Sequence, residues 1–266
     1  MIYVNLSSIG MKKVIRIIPR LDIKGPNLVK GIHLEGLRVL GKPEDFARLY
    51  YQLGADELIF QDVVASLYER NSLDYIISNT AKELFIPLTV GGGIRTLNDI
   101  NNVLRAGADK VSINTAALKD PSFIEEAAKE FGSSTIVIAI ESIKDSNGRI
   151  FAYYDNGREY SGVDVFEWAK RVYDLGAGEI LITSVDKEGT GEGFDFALIS
   201  KIAEIVKIPV IAHGGAGKRE HILELLKSCN ISGVVLGSIL HYKTIEYLTI
   251  NNKKFQEGNL EFLKNN

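Results

Sequence analysis

The stretch IPLTVGGG at residues 86–93 recurs 122 positions later as IPVIAHGG at residues 208–215. Two further pairs of segments match at the same offset: GADELI (54–59) with GAGEIL (176–181), and TAAL (115–118) with GSIL (237–240). A period of this length is too long for a solenoid repeat. The repeat therefore predicts one closed body built from two equivalent halves, with an equivalent binding place in each half.

Short apolar segments alternate with longer helical patterns through most of the chain. The predicted strands are 14–21, 57–62, 87–90, 110–113, 135–140, 179–184, 209–212 and 233–237. Helical periodicity marks segments between them, such as 43–53, 121–131, 196–206 and 221–227. Eight strand–helix units in about 250 residues predict an α/β fold, a single (β/α)8 TIM barrel. An open doubly wound sheet is the alternative, but its unequal edges do not suit two equivalent halves.

The whole chain, 1–266, is predicted to be one domain with three additions to the barrel. Residues 1–12 form an N-terminal extension, and the Lys- and Asn-rich segment 251–266 forms a polar tail. Segment 143–162 has Asn-Gly turn signals on both sides of the sequence IFAYY, so it predicts a hairpin inserted after the fifth barrel strand.

Composition excludes several classes of function. The chain has 266 residues, is 45% hydrophobic and has a net charge of -3, which gives no basis for nucleic acid or an anionic membrane as a partner. Its one cysteine and four histidines form no metal-ligand motif, so neither a metal site nor a cofactor is predicted. No run of about 18 apolar residues predicts a membrane span, and the lone cysteine fits a reduced, cytoplasmic setting.

Two acidic residues follow strands that occupy matching places in the two halves. Asp22 follows the first predicted strand and Glu141 follows the fifth. In a barrel of this kind, chemistry takes place at the carboxyl ends of the strands. Two carboxylates that face one cavity suit acid–base catalysis, because one can hold a proton while the other is ionised. A helix cap or an ordinary ion pair is the structural alternative, and we favour catalysis.

Glycine pairs follow apolar strands in both halves and predict two phosphate sites. Backbone N–H groups at such turns, next to helix N-termini, attract phosphate. The residues predicted to form the two sites, or to add donors to them, are Gly92, Gly93, Asn114 and Thr115 in the first half, and Thr183, Ser184, Gly214, Gly215, Gly237 and Ser238 in the second.

Four charged residues stand at or near the starts of predicted strands. They are Arg16, Glu57, Lys110 and Glu179. If they point inward they form a ring of alternating charge across the barrel floor, and otherwise they are ordinary surface ions. Spacing alone leaves both arrangements open and slightly favours surface ions.

The histidines divide into one candidate ligand contact and three others. His213 directly precedes the second glycine pair, so it is the one histidine that we predict to contact a ligand. His33, His221 and His241 have no partner that the sequence suggests, and they are predicted to lie on the surface or in loops. Trp168 belongs to a helical pattern and is predicted to pack in the core.

Several longer segments resemble the HisF family, the cyclase subunits of imidazole glycerol phosphate synthase. They are LVKG (28–31), GADELIFQD with Ala65-Ser66 (54–66), TVGGGI (89–94), GADKVSINTAA (107–117), GAGEILITS (176–184) and GGAGK (214–218). The resemblance runs from about Lys13 to Ile245, nearly the whole predicted barrel. A sister barrel, the isomerase of the same pathway, shares the doubled halves and paired acids but matches these segments less well.

The resemblance implies an ammonia-using synthase or lyase subunit. Ammonia made by a separate glutaminase subunit, HisH-like, would enter through a gate that matches the four charged residues above, which overturns the preference for surface ions. Asp109 matches a position at the glutaminase interface. Asp22 and Glu141 match the acid–base positions. The implied substrate is a ribulosyl-aminoimidazole with two phosphates, which is converted to imidazole glycerol phosphate and an aminoimidazole carboxamide nucleotide in histidine biosynthesis.

Four departures from the family pattern cluster at the predicted active-site mouth. Glu141 replaces an aspartate, Pro19-Arg20 replaces small residues, Gly25-Pro26 replaces an Asp-Gly turn, and His213 replaces a small residue.

The segment IIPRLDIKGPNLVKG is similar to a branch of the family associated with lipopolysaccharide or other surface-polysaccharide biosynthesis. In that branch the barrel is thought to pass ammonia to a separate sugar amidotransferase. An ammonia-conducting partner with little or no cyclase activity is therefore the alternative function. The isomerase reaction is a weaker third possibility, because it would leave the charged gate unexplained.

Overall fold

The computed structural model describes residues 15–65 and 73–250. The predicted extension 1–12, Ser66 of the family motif and the predicted tail 251–266 lie outside these described residues.

The described residues form strands that close into a barrel. In chain order the strands are β1 (Arg16–Lys24), β2 (Asn27–Ile32), β3 (Glu35–Gly41), β4 (Leu58–Asp62), β5 (Leu88–Gly91), β6 (Lys110–Ile113), β7 (Ile136–Lys144), β8 (Ile150–Tyr154), β9 (Glu159–Asp164), β10 (Glu179–Ser184), β11 (Val210–His213) and β12 (Gly233–Leu236). The parallel order β1–β4–β5–β6–β7–β10–β11–β12 closes because β12 pairs with β1, with Arg16 opposite Gly233. The prediction of an eight-stranded parallel barrel is confirmed.

Helices connect the barrel strands and cover their outer face. The described helices are α1 (Pro43–Gln52), α2 (Asp74–Glu83), α3 (Leu97–Ala106), α4 (Thr115–Lys119), α5 (Ser122–Phe131), α6 (Val165–Asp174), α7 (Phe196–Ile205), α8 (Arg219–Ser228) and α9 (Ser238–Ile250). Their starts follow local chemistry: Pro43 occupies the first turn of α1, and Thr96 forms a capping box with Asp99 at α3. Trp168 of α6 packs in the core with 1% of its surface exposed, as predicted.

The interior of the barrel is arranged in layers, because alternate residues of each strand point inward. A separate apolar cluster of inward residues occupies the middle of the lumen: Ile18, Ile59, Val137, Leu181, Ile211 and Val235. Below this layer, at the strand starts, lie Arg16 and Glu179; above it, two residues further along each strand, lie Arg20 and Thr183. The lumen is therefore polar at both ends and apolar between them.

Two antiparallel hairpins rise above the barrel at the carboxyl ends of the strands. Strands β8 and β9 continue from the end of β7, as segment 143–162 predicts, although β9 extends to Asp164. Strands β2 and β3 form a second hairpin after β1, which the sequence did not predict. Its turn residues, His33 and Leu34, have φ angles of 51° and 62°, which are uncommon for residues of these types.

Contacts with the opposite side of the mouth hold that unusual turn. The backbone N–H of His33 donates to the carbonyl oxygen of Glu188 at 3.0 Å, and the N–H of Leu34 donates to Oε2 of Glu188 at 3.0 Å. Asn156 of the β8–β9 turn donates through Nδ2 to the carbonyl oxygen of Leu34 at 3.1 Å. The β2–β3 hairpin therefore lies across the barrel mouth and contacts both the loop after β10 and the β8–β9 turn.

His241 does not lie on the surface, so that prediction is wrong. Its side chain is completely buried, and Nε2 lies 3.1 Å from the carbonyl oxygen of Arg20. Because a carbonyl only accepts, Nε2 carries the proton and Nδ1 accepts from the Tyr50 hydroxyl at 2.6 Å. Burial, together with the charge of Lys30, lowers the pKa of His241 to about 4, so the ring is neutral near pH 7. Its position on α9, which the sequence pattern does not mark as inward-facing, explains the error.

The buried Tyr50–His241 pair gives a test of this packing. We expect Tyr50→Phe to lower the free energy of unfolding by about 1–3 kcal/mol, because it leaves Nδ1 of His241 buried without a donor. Urea denaturation near pH 7 measures the change. Tyr75→Phe removes the same hydroxyl from a side chain that is 74% exposed and serves as the matched control. Equal stability of the two variants would contradict the inferred hydrogen bond.

Candidate active site

Four charged side chains form a closed ring of ion pairs at the barrel floor. Nη1 of Arg16 lies 2.8 Å from Oε2 of Glu57 and 3.1 Å from Oε1 of Glu179. Nζ of Lys110 lies 3.1 Å from Oε1 of Glu57 and 3.0 Å from Oε1 of Glu179. Thr89, inside the barrel, donates its hydroxyl to Oε1 of Glu57 at 3.0 Å. The ring is one of the two arrangements that spacing left open, and it places two cations and two carboxylates across the lower end of the lumen.

Asp109 lies beside this ring on the outer edge of the floor. Its carboxylate accepts a hydrogen bond from the backbone N–H of Leu88 at 2.8 Å, and its side chain is otherwise exposed. The residue follows α3 and directly precedes Lys110, so it faces outward while its neighbour faces the lumen.

At the opposite end of the lumen, Asp22 takes part in a buried network of charges. Its Oδ1 accepts from Nε of Arg20 at 2.7 Å, and its Oδ2 lies 3.6 Å from Nζ of Lys30. Lys30, from β2, also pairs with the carboxylate of Glu188, and all four side chains are buried. Burial by itself would raise the pKa of Asp22, but the positive charges of Arg20 and Lys30 outweigh it and lower that pKa below its ordinary value. Asp22 is therefore ionised near pH 7.

Glu141 lies at the same end of the barrel in a different environment. Its Oε2 accepts from Nδ2 of Asn114 at 3.0 Å and from the backbone N–H of Gly157 at 2.8 Å. Burial raises the pKa of Glu141 to about 7, and the negative charges of Asp22 and Asp155 act in the same direction. Within the described parts of the chain no hydrogen bond reaches Oε1, so this oxygen is the one that can carry a proton toward the cleft.

The two carboxyl groups thus differ in protonation although they share one end of the lumen. The charge of Asp22 is one of the causes that raise the pKa of Glu141. A carboxyl group that is partly protonated near pH 7, beside one that is ionised, is suited to acid–base chemistry.

An open cleft of about 970 Å³ lies above Glu141, and half of the barrel mouth supplies most of its walls. Six of the residues predicted for the site line it: Gly92, Gly93, Asn114, Thr115, Glu141 and Thr183. Arg20 also lines this cleft. Other predicted residues do not: Asp22, Ser184, Gly214, Gly215, Gly237 and Ser238. The first predicted phosphate site is therefore open, whereas only Thr183 of the second reaches this cleft.

The two glycine pairs are nevertheless equivalent in three dimensions. Gly92 and Gly214 have φ angles of 96° and 98°, in the region that favours glycine. A Cβ atom on Gly92 would lie 2.2 Å from the carbonyl oxygen of Asp62, and one on Gly214 would lie 2.6 Å from that of Ser184. Asp62 and Ser184 are themselves 122 positions apart, so the sequence repeat corresponds to a repeated backbone approach.

The β2–β3 hairpin and His213 fill part of the second half of the mouth. A Cβ atom on Gly237 would lie 3.5 Å from Cε of Lys30, so the lysine stem packs beside this half-buried glycine. His213 is 4% exposed, and its Nδ1 lies 3.1 Å from Oγ1 of Thr183. Burial, followed by the charges of Arg20 and Lys30, lowers the pKa of His213 well below its ordinary value, so the ring is neutral near pH 7.

Lys30 and Glu188 are two buried charged residues of the mouth that the sequence analysis did not single out. A signal for Lys30 exists, because it stands in an apolar segment, LVKGI, where a lysine needs a buried partner. Nothing local identifies Glu188 as that partner, since it lies 158 positions away in the chain.

Comparison with known proteins assigns the chain to a family. A family model described as histidine biosynthesis protein matches residues 16–246. A Legionella pneumophila protein named imidazole glycerol phosphate synthase subunit HisF is 56% identical over 206 residues, which cover 77% of this chain and 97% of the relative. This chain belongs to the HisF family of histidine biosynthesis proteins. The span that matches the family model contains the whole barrel of this HisF-family chain, including the charged ring, Asp22 and Glu141.

Within 15–65 and 73–250, no group of three or more His, Cys, Asp or Glu side chains is placed to hold a metal ion. Over the same ranges, no helix is both long enough and apolar enough to cross a membrane.

The raised pKa of Glu141 predicts a pH dependence of stability. In the unfolded chain the carboxyl group loses its proton near pH 4.5, whereas in the folded protein it does so near pH 7. The folded state therefore binds more protons between these values, so the stabilisation is complete at low pH and is lost as the pH rises through 7. We expect the free energy of unfolding, relative to Glu141→Gln, to fall by about 3 kcal/mol from pH 4.5 to 8.

Urea titrations of both proteins across this range measure that difference. Comparing the two proteins removes the contributions of His213 and His241, whose lowered pKa values act in the opposite direction. A difference that does not change with pH would mean that Glu141 ionises in its ordinary range.

Proposed function

We propose that this chain is the cyclase subunit of an imidazole glycerol phosphate synthase in histidine biosynthesis. The observation that carries the proposal is a closed lumen with a charged ring at its floor and two buried carboxyl groups, Asp22 and Glu141, at its top, in a chain of the HisF family. The substrate class is a ribulosyl-aminoimidazole with a phosphate at each end. The products are imidazole glycerol phosphate and an aminoimidazole carboxamide nucleotide.

In the proposed reaction, ammonia adds to the ketone carbon of the substrate. Glu141 donates the proton that allows the resulting hydroxyl group to leave as water, which gives an imine. A general acid works best when its pKa is close to the working pH, and the pKa of about 7 meets that requirement. Asp22 is held ionised by Arg20 and Lys30 and does not line the open cleft, so it acts only after the β2–β3 hairpin withdraws. It then stabilises the positive charge of the protonated imine and accepts a proton as the ring closes. Cleavage of the C–N bond then releases the two products.

The phosphates occupy the two glycine sites in this proposal. Gly92, Gly93, Asn114 and Thr115 line the open cleft, and their backbone N–H groups suit the first phosphate. Thr183, Ser184, Gly214, Gly215, Gly237 and Ser238 form the second site. Because Lys30 packs beside Gly237, the β2–β3 hairpin has to withdraw before a second phosphate can bind there.

The floor of the barrel is the proposed docking face for a glutaminase subunit of the HisH type. The ion-pair ring closes the lumen on this face, and Asp109 lies exposed beside it. Two apolar side chains are exposed at the same end, Leu53 at 49% and Phe85 at 83%. Exposed aromatic groups next to a polar rim are typical of protein interfaces. Ammonia released by the partner would enter through the ring and travel up the apolar lumen.

The free thiol of Cys229 fits a reducing cytoplasmic setting for the complex.

The proposed chemistry is tested without the partner by supplying substrate and an ammonium salt. We expect Glu141→Gln to lower kcat by about 100- to 10,000-fold, because it removes the transferable proton but keeps the hydrogen-bonding shape. Asp22→Asn is expected to reduce product below detection. Chromatographic detection of imidazole glycerol phosphate measures both effects, and Glu130→Gln, an exposed change on α5, is the control.

If the unaltered protein forms no more product than Asp22→Asn, the cyclase proposal is overturned. The ammonia-conducting role in sugar amidation would then be the function to test. Its signature is activation of the glutaminase together with stable binding to a sugar amidotransferase.

Partner docking is tested with two aromatic residues near opposite ends of α2. Phe85 follows the helix at the barrel floor, whereas Tyr75 is in its first turn near the mouth. We expect Phe85→Ala to weaken binding of the purified glutaminase subunit by about 30-fold, the effect of losing a buried interface anchor. Tyr75→Ala should leave the affinity unchanged. Calorimetry measures both, and equal effects of the two changes would argue against docking at the floor.

A further inference from the structure

Three buried polar atoms in the cleft have no hydrogen-bond partner among the described residues. They are Nη2 of Arg20, Oγ of Ser112 and Oδ1 of Asn114. All three residues line the cleft above the lumen. Buried polar groups in folded proteins are almost always paired, and leaving one unpaired costs about 1–3 kcal/mol. Three such atoms in one cavity point to a ligand group that pairs with them.

Arg20 is held in a fixed orientation, so its unpaired donor has a defined direction. Its Nε donates to Oδ1 of Asp22 at 2.7 Å, and its backbone carbonyl lies 3.1 Å from Nε2 of His241. Only 4% of the residue is exposed, which leaves the guanidinium little room to move. Asp22 thus pairs with one edge of the guanidinium, and Nη2 is buried at the wall of the cleft without a partner among the described residues.

The amide of Asn114 is also oriented by its neighbours. Its Nδ2 donates to Oε2 of Glu141 at 3.0 Å and to the carbonyl oxygen of Tyr153 at 3.1 Å. Reversing the amide would place its oxygen against two acceptors, so Oδ1 is the atom left without a partner. The cleft therefore presents fixed donors from Arg20 and a fixed acceptor from Asn114. The hydroxyl of Ser112, which is 4% exposed, can donate or accept.

The charges around this site favour a neutral ligand group. The two buried cations, Arg20 and Lys30, are already balanced by the carboxylates of Asp22 and Glu188. A further anion would be buried without a free counter-charge, and an unpaired buried charge is destabilising by several kcal/mol. A neutral group with both an acceptor and a donor has no such penalty.

We propose that Arg20, Ser112 and Asn114 form a binding site for a neutral primary carboxamide. Its carbonyl oxygen accepts from Nη2 of Arg20 and from the Ser112 hydroxyl, and its NH₂ group donates to Oδ1 of Asn114. The inference deepens the proposed function and rests on it, because the proposed nucleotide product carries a carboxamide. Arg20, which departs from the small residue of the family pattern, becomes a specificity-determining residue in this interpretation.

The test compares two nucleotides that differ only in the carboxamide. They are 5-aminoimidazole-4-carboxamide ribonucleotide and 5-aminoimidazole ribonucleotide, whose phosphates are the same. We expect the unaltered protein to bind the first about 10-fold or more tightly, the effect of one or two hydrogen bonds to buried groups. Arg20→Met should reduce the preference to about threefold or less while changing the affinity for the second nucleotide by less than about threefold. Calorimetric dissociation constants measure all four affinities.

Two further variants separate a binding role from a structural one. Ser112→Ala leaves the Arg20–Asp22 pair intact and should reduce the preference by about three- to tenfold, so the test holds even if Arg20→Met does not fold. Arg105→Met removes the same charge from the exposed face of α3 and should leave the preference unchanged.

The outcomes distinguish this proposal from the proposed function. Equal binding of the two nucleotides by the unaltered protein overturns the carboxamide site and leaves the proposed reaction standing. Loss of affinity for both nucleotides by the same factor in Arg20→Met and Ser112→Ala also overturns it, because that is the effect of a structural role. Failure of either nucleotide to bind the unaltered protein counts against both proposals.

Discussion

Charge buried inside a closed barrel has to be paired, and this requirement organises both ends of the lumen. At the floor, two cations and two carboxylates alternate so that each contacts two partners of opposite charge. At the mouth, Arg20 and Lys30 balance Asp22 and Glu188. The six apolar side chains between these clusters offer no partner to an ion. A small neutral molecule such as ammonia could pass between the two ends more readily than an ion, because it has no full charge to desolvate.

Glu141 is the acidic side chain of the mouth that the two cations do not directly pair with. Both hydrogen bonds that it accepts come from neutral donors, the amide of Asn114 and the N–H of Gly157. Burial among further negative charge then favours the protonated form. The same mouth therefore holds one carboxyl group that is ionised near pH 7 and another that gains or loses its proton near that pH. The carboxyl group of Glu141 thus lies between Asn114 and Gly157 of the β8–β9 turn.

The sequence anticipated the barrel much better than it anticipated the mouth. The repeat and the strand pattern predict the parallel barrel, and Asn156-Gly157 predicts the β8–β9 turn from local chemistry. The β2–β3 hairpin was missed because its turn residues, His33 and Leu34, give no such local signal. Hydrogen bonds to Glu188, far along the chain, stabilise their positive φ angles instead. The equivalence of the two glycine pairs was predictable, whereas the packing of Lys30 beside Gly237 depends on that same hairpin.

By itself, the sequence determined the closed fold, the two carboxylates at matching strand ends and the four charges at strand starts. The strand pattern places these residues at the two ends of the barrel strands. Spacing left open whether the four charges face the lumen, and the family resemblance predicted that they do. Only the tertiary structure decided how those side chains pair, which carboxyl group holds a proton and which half of the mouth is open. Pairing and desolvation depend on contacts between residues such as Lys30 and Glu188, which are 158 positions apart. No local pattern encodes contacts of that kind.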